Sequence, residues 1–170
     1  GEAGFALGHN GNLTNTPTLA AENGMLAGTV ASDTDLVAEM LATAWPADDR
    51  SDGRDLEKAL LRVLPSLQGA FSLVLLDAGH VIGVRDPNGF RPLCLGKLDS
   101  GWVLASETPA LDVVGAHFVR EIEPGEMVVI DAAGVRSLRP FPPERISPKL
   151  CIFEFVYFAR PDSPLYGKEA

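Results

Sequence analysis

Apolar residues repeat at helical spacing in two segments of the chain. In the first, Ser32 to Trp45, Ser32 is followed three residues later by Asp35, a variant of the capping box that opens many helices. The apolar positions of this segment are Leu36, Val37, Met40, Leu41, Ala44 and Trp45. The second segment runs from Asp55 to Leu64 and stops before Pro65. A shorter helix is predicted from Thr16 to Gly24, with Pro17 in its first turn.

From Gly69 onward the pattern changes to that of strands. The run 70–76 is apolar at almost every position, which is typical of a strand buried on both faces. Further strands are predicted at 80–85, 92–98, 101–106, 118–122, 127–131 and 135–139, with a short helix at 109–114. A strand that leaves the domain is predicted at Cys151–Ala159, after a proline-rich connector at 140–148.

These elements predict an α+β fold built from antiparallel sheets. Most of the strands follow one another through short turns, which disfavours a doubly wound parallel sheet because parallel strands need long crossovers. The 170 residues suit a single domain.

Charge and cysteine content exclude several function classes. The net charge is −9, which argues against partners such as duplex DNA or an anionic membrane surface. No apolar run approaches the roughly 18 residues that span a bilayer. The two cysteines, Cys94 and Cys151, lie far apart in sequence and are typical of reduced thiols in a cytoplasmic protein. The three histidines show no metal-ligand spacing.

The polar segment His9–Asn15 is predicted to be a loop, and it contains candidate chemistry. Gly11 allows unusual backbone angles, so that its N–H can point at a ligand, and Asn10 offers a side-chain amide beside it. Such a pair can form an oxyanion hole, which stabilises charge on a carbonyl oxygen. The alternative is an ordinary Asn-Gly turn that closes a hairpin.

Asp33 and Asp35 lie at the start of the best-predicted helix. Acidic side chains in a first helical turn are favoured by the helix dipole, which would explain both of them. The alternative is that one carboxylate faces a pocket and accepts hydrogen bonds from a substrate ammonium group.

Seven motifs occur in an order that resembles a known family. They are His-Asn-Gly-Asn-Leu-Thr-Asn (9–15), Ser-Asp-Thr-Asp (32–35), Gly-Ala-Phe-Ser-Leu (69–73), Arg-Asp-Pro-Asn-Gly-Phe-Arg-Pro-Leu (85–93), Ala-Ser-Glu-Thr (105–108), Glu-Pro-Gly-Glu (123–126) and Phe-Glu-Phe-Val-Tyr-Phe-Ala-Arg-Pro-Asp-Ser (153–163). The chain resembles the glutaminase half of the class II glutamine amidotransferases, and within them the glutamine phosphoribosylpyrophosphate amidotransferases (amidophosphoribosyltransferases). The resemblance covers nearly the whole chain.

The resemblance implies a fold and a set of site residues. The fold is the four-layer αββα sandwich of N-terminal-nucleophile hydrolases, here lacking its N-terminal part. The Asn10 side chain and the Gly11 backbone N–H are expected to form the oxyanion hole, and Asp33 is expected to hold the α-amino group of glutamine. The family's reaction releases ammonia from glutamine and delivers it to phosphoribosyl pyrophosphate, which gives 5-phosphoribosylamine for purine synthesis.

A departure from the family pattern leads to further expectations. The family's nucleophile is an N-terminal cysteine, whereas residue 1 is glycine here. We therefore expect a fragment that is inactive alone, with residues 1–148 as a partial glutaminase domain and 149–170 as the exit strand and the start of a linker to a missing phosphoribosyltransferase domain. A non-catalytic module of the same fold, used for assembly or ligand sensing, is the alternative.

The resemblance also implies cofactors and partners for the parent enzyme. Cys151 stands where the iron–sulfur branch of the family has one ligand of a [4Fe–4S] cluster, although members without a cluster also have a cysteine there. Mg²⁺ is expected in the missing phosphoribosyltransferase domain. The expected partners are glutamine, phosphoribosyl pyrophosphate and further copies of the chain in a homo-tetramer, with no nucleic acid and no membrane.

Overall fold

A computed structural model describes residues 4–25, 30–45, 53–154, 164–165 and 168–169. The strands are β1 (Ala6–Leu13), β2 (Gly69–Leu76), β3 (Val81–Arg85), β4 (Cys94–Leu98), β5 (Gly101–Ala105), β6 (His117–Glu121), β7 (Met127–Asp131), β8 (Gly134–Leu138), β9 (Pro164–Leu165) and β10 (Lys168–Glu169). The α-helices are α1 (Thr16–Glu22), α2 (Asp33–Ala44), α3 (Asp55–Val63) and α4 (Thr108–Val114), and Leu64–Ser66 and Pro143–Arg145 form 3-10 turns.

Helix α2 begins where its sequence predicts. Ser32 is the N-cap, and its hydroxyl accepts a hydrogen bond from the Asp35 backbone N–H at 3.2 Å. The predicted apolar stripe is confirmed, since Leu36, Val37, Met40 and Leu41 are buried. The cap fixes the first turn of α2, and with it the position of Asp33.

The larger sheet has five strands in the order β1-β2-β3-β7-β8, and every neighbouring pair is antiparallel. The prediction of a loop at His9–Asn15 was wrong for its first five residues, because β1 continues to Leu13. The polar sequence of this segment resembles that of a loop because β1 is an edge strand of the described sheet. Its residues from Asn10 to Asn12 are exposed, so its polar side chains need no apolar alternation.

Three cores separate four layers, which confirms the αββα architecture. One core lies between helices α1–α3 and one face of the five-stranded sheet, where Phe71, Leu73 and Leu75 project from β2. A second core lies between this sheet and the three-stranded sheet β5-β4-β6, and it contains Val128 and Leu95. The third core packs α4 against the outer face of the smaller sheet.

The first residues of the predicted exit strand, 151–154, do not form a strand. Residues 152–154 form a helical turn, closed by a hydrogen bond from the Glu154 N–H to the Cys151 carbonyl at 3.1 Å. Here Ile152 and Phe153 are exposed and Glu154 is buried, the reverse of what the apolar run suggests. The rest of that predicted strand, and most of the polar segment 46–54, lie outside the described residues. Among the described residues no helix is long and apolar enough to cross a membrane.

Candidate functional site

Gly11 is a position in β1 that only glycine suits. Its φ is +136°, and a Cβ added there would lie 2.0 Å from the Ala70 carbonyl oxygen and 2.8 Å from the Phe71 Cα. Both contacts are with backbone of the neighbouring strand, so no side chain can move to make room. The unusual backbone predicted for Gly11 is therefore confirmed, although it occurs within a strand and not in a turn.

The outer edge of β1 presents backbone N–H groups to the surroundings. Thr14 donates its N–H inward to the Gln68 carbonyl at 2.9 Å, whereas Leu13 donates outward to Asp33 Oδ2 at 2.7 Å. Because inward and outward amides alternate along an antiparallel strand, the Gly11 N–H also points to the open edge. An N–H at this edge is available to a ligand.

Asn10 lies beside this amide on an exposed part of the strand. It pairs in register with Ser72 of β2, and the two side chains therefore project from the same face of the sheet. The Asn10 amide makes no side-chain hydrogen bond within the described residues, so it is able to donate to a ligand. Asn10 and Gly11 thus offer two donors of different kind at adjacent positions, and both kinds of donor occur in oxyanion holes.

Asp33 is held at the same edge of β1. Its Oδ2 accepts from the Leu13 N–H and its Oδ1 accepts from the Thr16 hydroxyl, each at 2.7 Å. The carboxylate is half-buried and joins three elements, while Ser32 caps the helix. Since each carboxylate oxygen can accept two hydrogen bonds, Asp33 retains capacity for one more donor.

The separation of the Gly11 and Leu13 amides along β1 is of the same order as the length of a glutamine molecule. Gly11 and Leu13 are two residues apart along a strand, which places their amides about 7 Å apart. The amide carbon and the α-nitrogen of glutamine are separated by four bonds, or about 5 Å. A glutamine lying along the edge of β1 can therefore reach the Gly11 amide with one end and Asp33 with the other.

His9 precedes Asn10 and Gly11 in β1, and its side chain projects to the face of the sheet opposite to that of Asn10. Its Nδ1 lies 3.4 Å from the Thr34 hydroxyl at the start of α2, and its buried Nε2 has no hydrogen-bond partner within the described residues. Burial lowers the pKa of His9, which leaves the ring neutral at neutral pH. A neutral ring with a buried nitrogen packs β1 against α2 and takes no part in the exposed edge.

The turn that follows β3 is built around Asp86, which is fully buried. Its carboxylate accepts backbone N–H bonds from Asn88 at 2.8 Å, Phe90 at 3.0 Å, Arg91 at 3.4 Å and Phe71 at 3.3 Å. Burial raises the pKa of this carboxyl, and the four N–H donors oppose that rise. Asp86 therefore joins the turn to β2 at Phe71, the register partner of Gly11.

The two cysteines lie in different environments. Cys94 is buried under α4, and burial raises the pKa of its thiol to about 11, as suits a small core residue. Cys151 is half-buried and lines an apolar depression of about 440 Å³, together with Ala70, Phe90, Arg91, Phe153 and Glu154. No group of three or more His, Cys, Asp or Glu side chains in the described part of the chain could hold a metal ion.

Two residues near the site make contacts that their residue type does not indicate, although both lie within the motifs given above. Ser72 is buried, and its hydroxyl donates to the Arg91 and Pro92 carbonyl oxygens at 3.0 and 3.2 Å. Glu154 is buried against Arg91. Each looks ordinary in the sequence, since its partner lies 19 or more residues away.

Comparison with known proteins shows the family. The model of the glutamine amidotransferase domain family matches residues 1–113. The chain is 50% identical to the amidophosphoribosyltransferase of Mycobacterium leprae over 98% of its own length and 30% of the relative's. It is 44% identical to the enzyme of the same name from Synechococcus elongatus, covering 96% of this chain and 33% of the relative.

Solved structures agree with this result. The glutamine phosphoribosylpyrophosphate amidotransferase from B. subtilis, complexed with ADP and GMP, aligns with a TM-score of 0.83 and 38% identity over 98% of this chain and 35% of that one. A class-II glutamine aminotransferase domain protein from Silicibacter pomeroyi, 18% identical with a TM-score of 0.51 over 81% of this chain and 68% of its own, shares the fold alone. The chain spans about a third of the length of its amidophosphoribosyltransferase relatives. It belongs to the glutamine amidotransferase domain family, and its relatives there are amidophosphoribosyltransferases.

Proposed function

We propose that this chain is the glutaminase part of an amidophosphoribosyltransferase. The observation that carries the proposal is the open edge of β1, which contains Asn10 and Gly11 and where Asp33 is hydrogen-bonded two residues further along, at Leu13. The similarity to amidophosphoribosyltransferases along almost the whole chain supports the same substrate.

In the proposed reaction a cysteine thiolate attacks the glutamine amide carbon, and the carbonyl oxygen becomes an oxyanion. The Asn10 amide and the Gly11 N–H donate to that oxygen, while Asp33 accepts from the α-ammonium group. The C–N bond then breaks, the nitrogen takes a proton from the protonated α-amino group of that cysteine and leaves as ammonia, and water releases glutamate from the thioester. The ammonia displaces pyrophosphate from phosphoribosyl pyrophosphate and forms 5-phosphoribosylamine, in the first step of purine synthesis.

The nucleophile is proposed to come from a residue outside these 170. In this family the attacking cysteine uses its own α-amino group as the base, and neither Cys94 nor Cys151 has a free α-amino group in this chain. Cys94 is in addition buried and protonated at neutral pH. We therefore expect the 170-residue chain alone to release no ammonia from glutamine.

The residues described here do not fit a complete iron–sulfur or magnesium site. A [4Fe–4S] cluster needs four thiolates, whereas Cys151 is the one half-buried thiol and Cys94 is enclosed in the core. Cys151 is proposed as a cluster ligand only if other parts of the protein supply the remaining three. Mg²⁺ is proposed to accompany phosphoribosyl pyrophosphate in a part of the protein that these residues do not include. A cytoplasmic location and a homo-tetramer are proposed for the whole enzyme.

The test uses the complete gene product that contains this chain. Glutamate release from glutamine and pyrophosphate release from phosphoribosyl pyrophosphate are measured together, and we expect pyrophosphate release to depend on glutamine or ammonia. A product with neither activity refutes the proposal and favours the non-catalytic module of the same fold.

The role of Asp33 has its own variant. Asp33→Asn removes the charge that attracts the ammonium group, and Asp35→Asn removes an exposed charge two residues along the same helical turn. We expect the glutamine KM to rise about tenfold or more in the first variant, because a charge-assisted hydrogen bond is lost, and to stay unchanged in the second. An unchanged KM in Asp33→Asn would refute the role.

A further inference from the structure

Glu154 is a buried acid whose partner comes from a distant part of the chain. Its carboxylate is 4% exposed and lies 3.2 Å from Nη1 of Arg91, 63 residues earlier. Burial raises the pKa of Glu154, and the Arg91 guanidinium opposes this rise. Taking such a pair out of water is costly, so the pair is weak evidence for added stability.

The backbone of Arg91 is fastened to the strand that faces Asn10. Its carbonyl oxygen accepts from the Ser72 hydroxyl and from Arg85 Nε, each at 3.0 Å. Ser72 is in turn the register partner of Asn10 across the β1–β2 pair. Arg91 is therefore connected to β1 through the Ser72 side chain and the pairing of Ser72 with Asn10.

The apolar depression adds a second connection between these groups. Ala70 and Ser72 project from one face of β2, and their register partners on β1 are Asn12 and Asn10. Ala70, Phe153 and Glu154 are among the residues that line the depression. The turn at 151–154 and the β2 face that carries Ser72 therefore border the same depression.

We propose that Glu154 is a positioning residue: its ion pair with Arg91 holds the turn 151–154 and the Arg91 backbone against β2, and so fixes the part of the sheet from which Asn10 projects. This inference rests on the proposed glutaminase function.

The chain offers a closely matched control. Glu57 on α3 is 3% exposed and pairs with Arg136 of β8, which is 33% exposed, and with Arg54, which is 50% exposed, compared with 4% and 23% for Glu154 and Arg91. Strand β8 lies four strands away from β1, or about 19 Å across the sheet. Glu57→Gln therefore removes the same type of pair from the far side of the same sheet.

The experiment compares Glu154→Gln and Glu57→Gln in the complete gene product. Steady-state glutamate release is measured and normalised to the folded fraction. We expect kcat to fall about tenfold in Glu154→Gln, with the glutamine KM within about twofold of wild type, because small misplacements of catalytic donors are costly in rate. Glu57→Gln is expected to keep the wild-type kcat.

A double variant tests whether Glu154 acts through Asn10. If it does, Glu154→Gln will add little to the loss already caused by Asn10→Ala, because groups that act as a unit are not additive. If Glu154→Gln does not fold, Arg91→Lys takes its place, because lysine keeps the charge but lacks the planar guanidinium. Arg91→Lys is expected to lower kcat by less than about tenfold and to leave the glutamine KM unchanged.

Each result separates the inference from the function on which it rests. Equal kcat in Glu154→Gln, Glu57→Gln and an active wild type would overturn the positioning role and leave the proposed function standing. Fully multiplicative losses in the double variant would also overturn it. A wild-type product that releases no glutamate overturns the function and the inference together.

Discussion

Replacing Gly11 by alanine tests the backbone geometry of the site. The new Cβ would lie 2.0 Å from the Ala70 carbonyl oxygen, and φ of +136° is a region that residues with a side chain rarely adopt. The strain of that backbone angle is about 1–3 kcal/mol and the steric conflict with a fixed strand adds about 1–3 kcal/mol. We expect Gly11→Ala to lose about 3 kcal/mol or more of its free energy of unfolding.

Gly8 provides the matched control on the same strand. A Cβ at Gly8 would meet only the Val74 carbonyl oxygen, at an ordinary 3.7 Å. Thermal unfolding of both variants measures the difference, and a loss of about 3 kcal/mol corresponds to a Tm lower by about 6–12 °C in a protein of this size. Gly8→Ala is expected to stay within about 2 °C of wild type. Equal Tm values for the two variants would show that Gly11 is not strained.

Two further predictions concern acid stability and thiol reactivity. Burial raises the pKa of Glu126, but hydrogen bonds from Arg120 and the Glu123 N–H outweigh it, and the pKa in the folded protein is lowered. The stabilisation is thus present above the unfolded pKa of about 4.3 and is lost as pH falls through the folded value. Glu126→Gln should therefore be about 2 kcal/mol less stable than wild type at pH 7 and should approach wild-type stability in acid. A difference in the free energy of unfolding that stays constant down to about pH 2 in denaturant titrations would contradict this. With a pKa of about 11, the Cys94 thiol is about 0.1% thiolate at pH 8. A disulfide reagent should therefore modify only Cys151 in the folded chain and both cysteines after unfolding. Equal modification rates for the two cysteines in the folded chain would contradict the burial of Cys94.

The helices and the central strands could be predicted because their burial is simple. Helix α2 carries one apolar stripe and a capping serine, and β2 is apolar on both sides because it lies between two cores. In such elements the polarity of each residue indicates whether its side chain is buried or exposed. The αββα architecture followed from the family resemblance together with these elements.

The edge strand and the last turn could not be predicted from polarity. Asn10 and Asn12 belong to a strand that has no neighbour on one side among the described residues, and both side chains are exposed, so the sequence of the strand resembles that of a loop. Residues 151–153 suggest a strand, but Glu154 is drawn inward by Arg91 and the chain turns. Both features depend on groups far away in sequence, which local patterns do not record.

The candidate site divides in the same way. Asn10, Gly11 and Asp33 could be selected from the sequence, and the structure brings all three to one end of β1. The groups that hold this end in place, Ser72 and Glu154, act through partners that only the folded chain brings near. Their roles follow from contacts and could not be inferred from residue type.

The most direct test of the account is the glutaminase rate of Asn10→Ala in the complete gene product, with Asn12→Ala as the control. Asn12 lies two residues further along the same exposed stretch, and its side-chain amide donates to the Leu13 carbonyl at 2.9 Å. Loss of one oxyanion donor should lower kcat about 100-fold or more, with the glutamine KM little changed, while Asn12→Ala keeps a rate near wild type. A wild-type kcat in Asn10→Ala would contradict the oxyanion hole at the edge of β1.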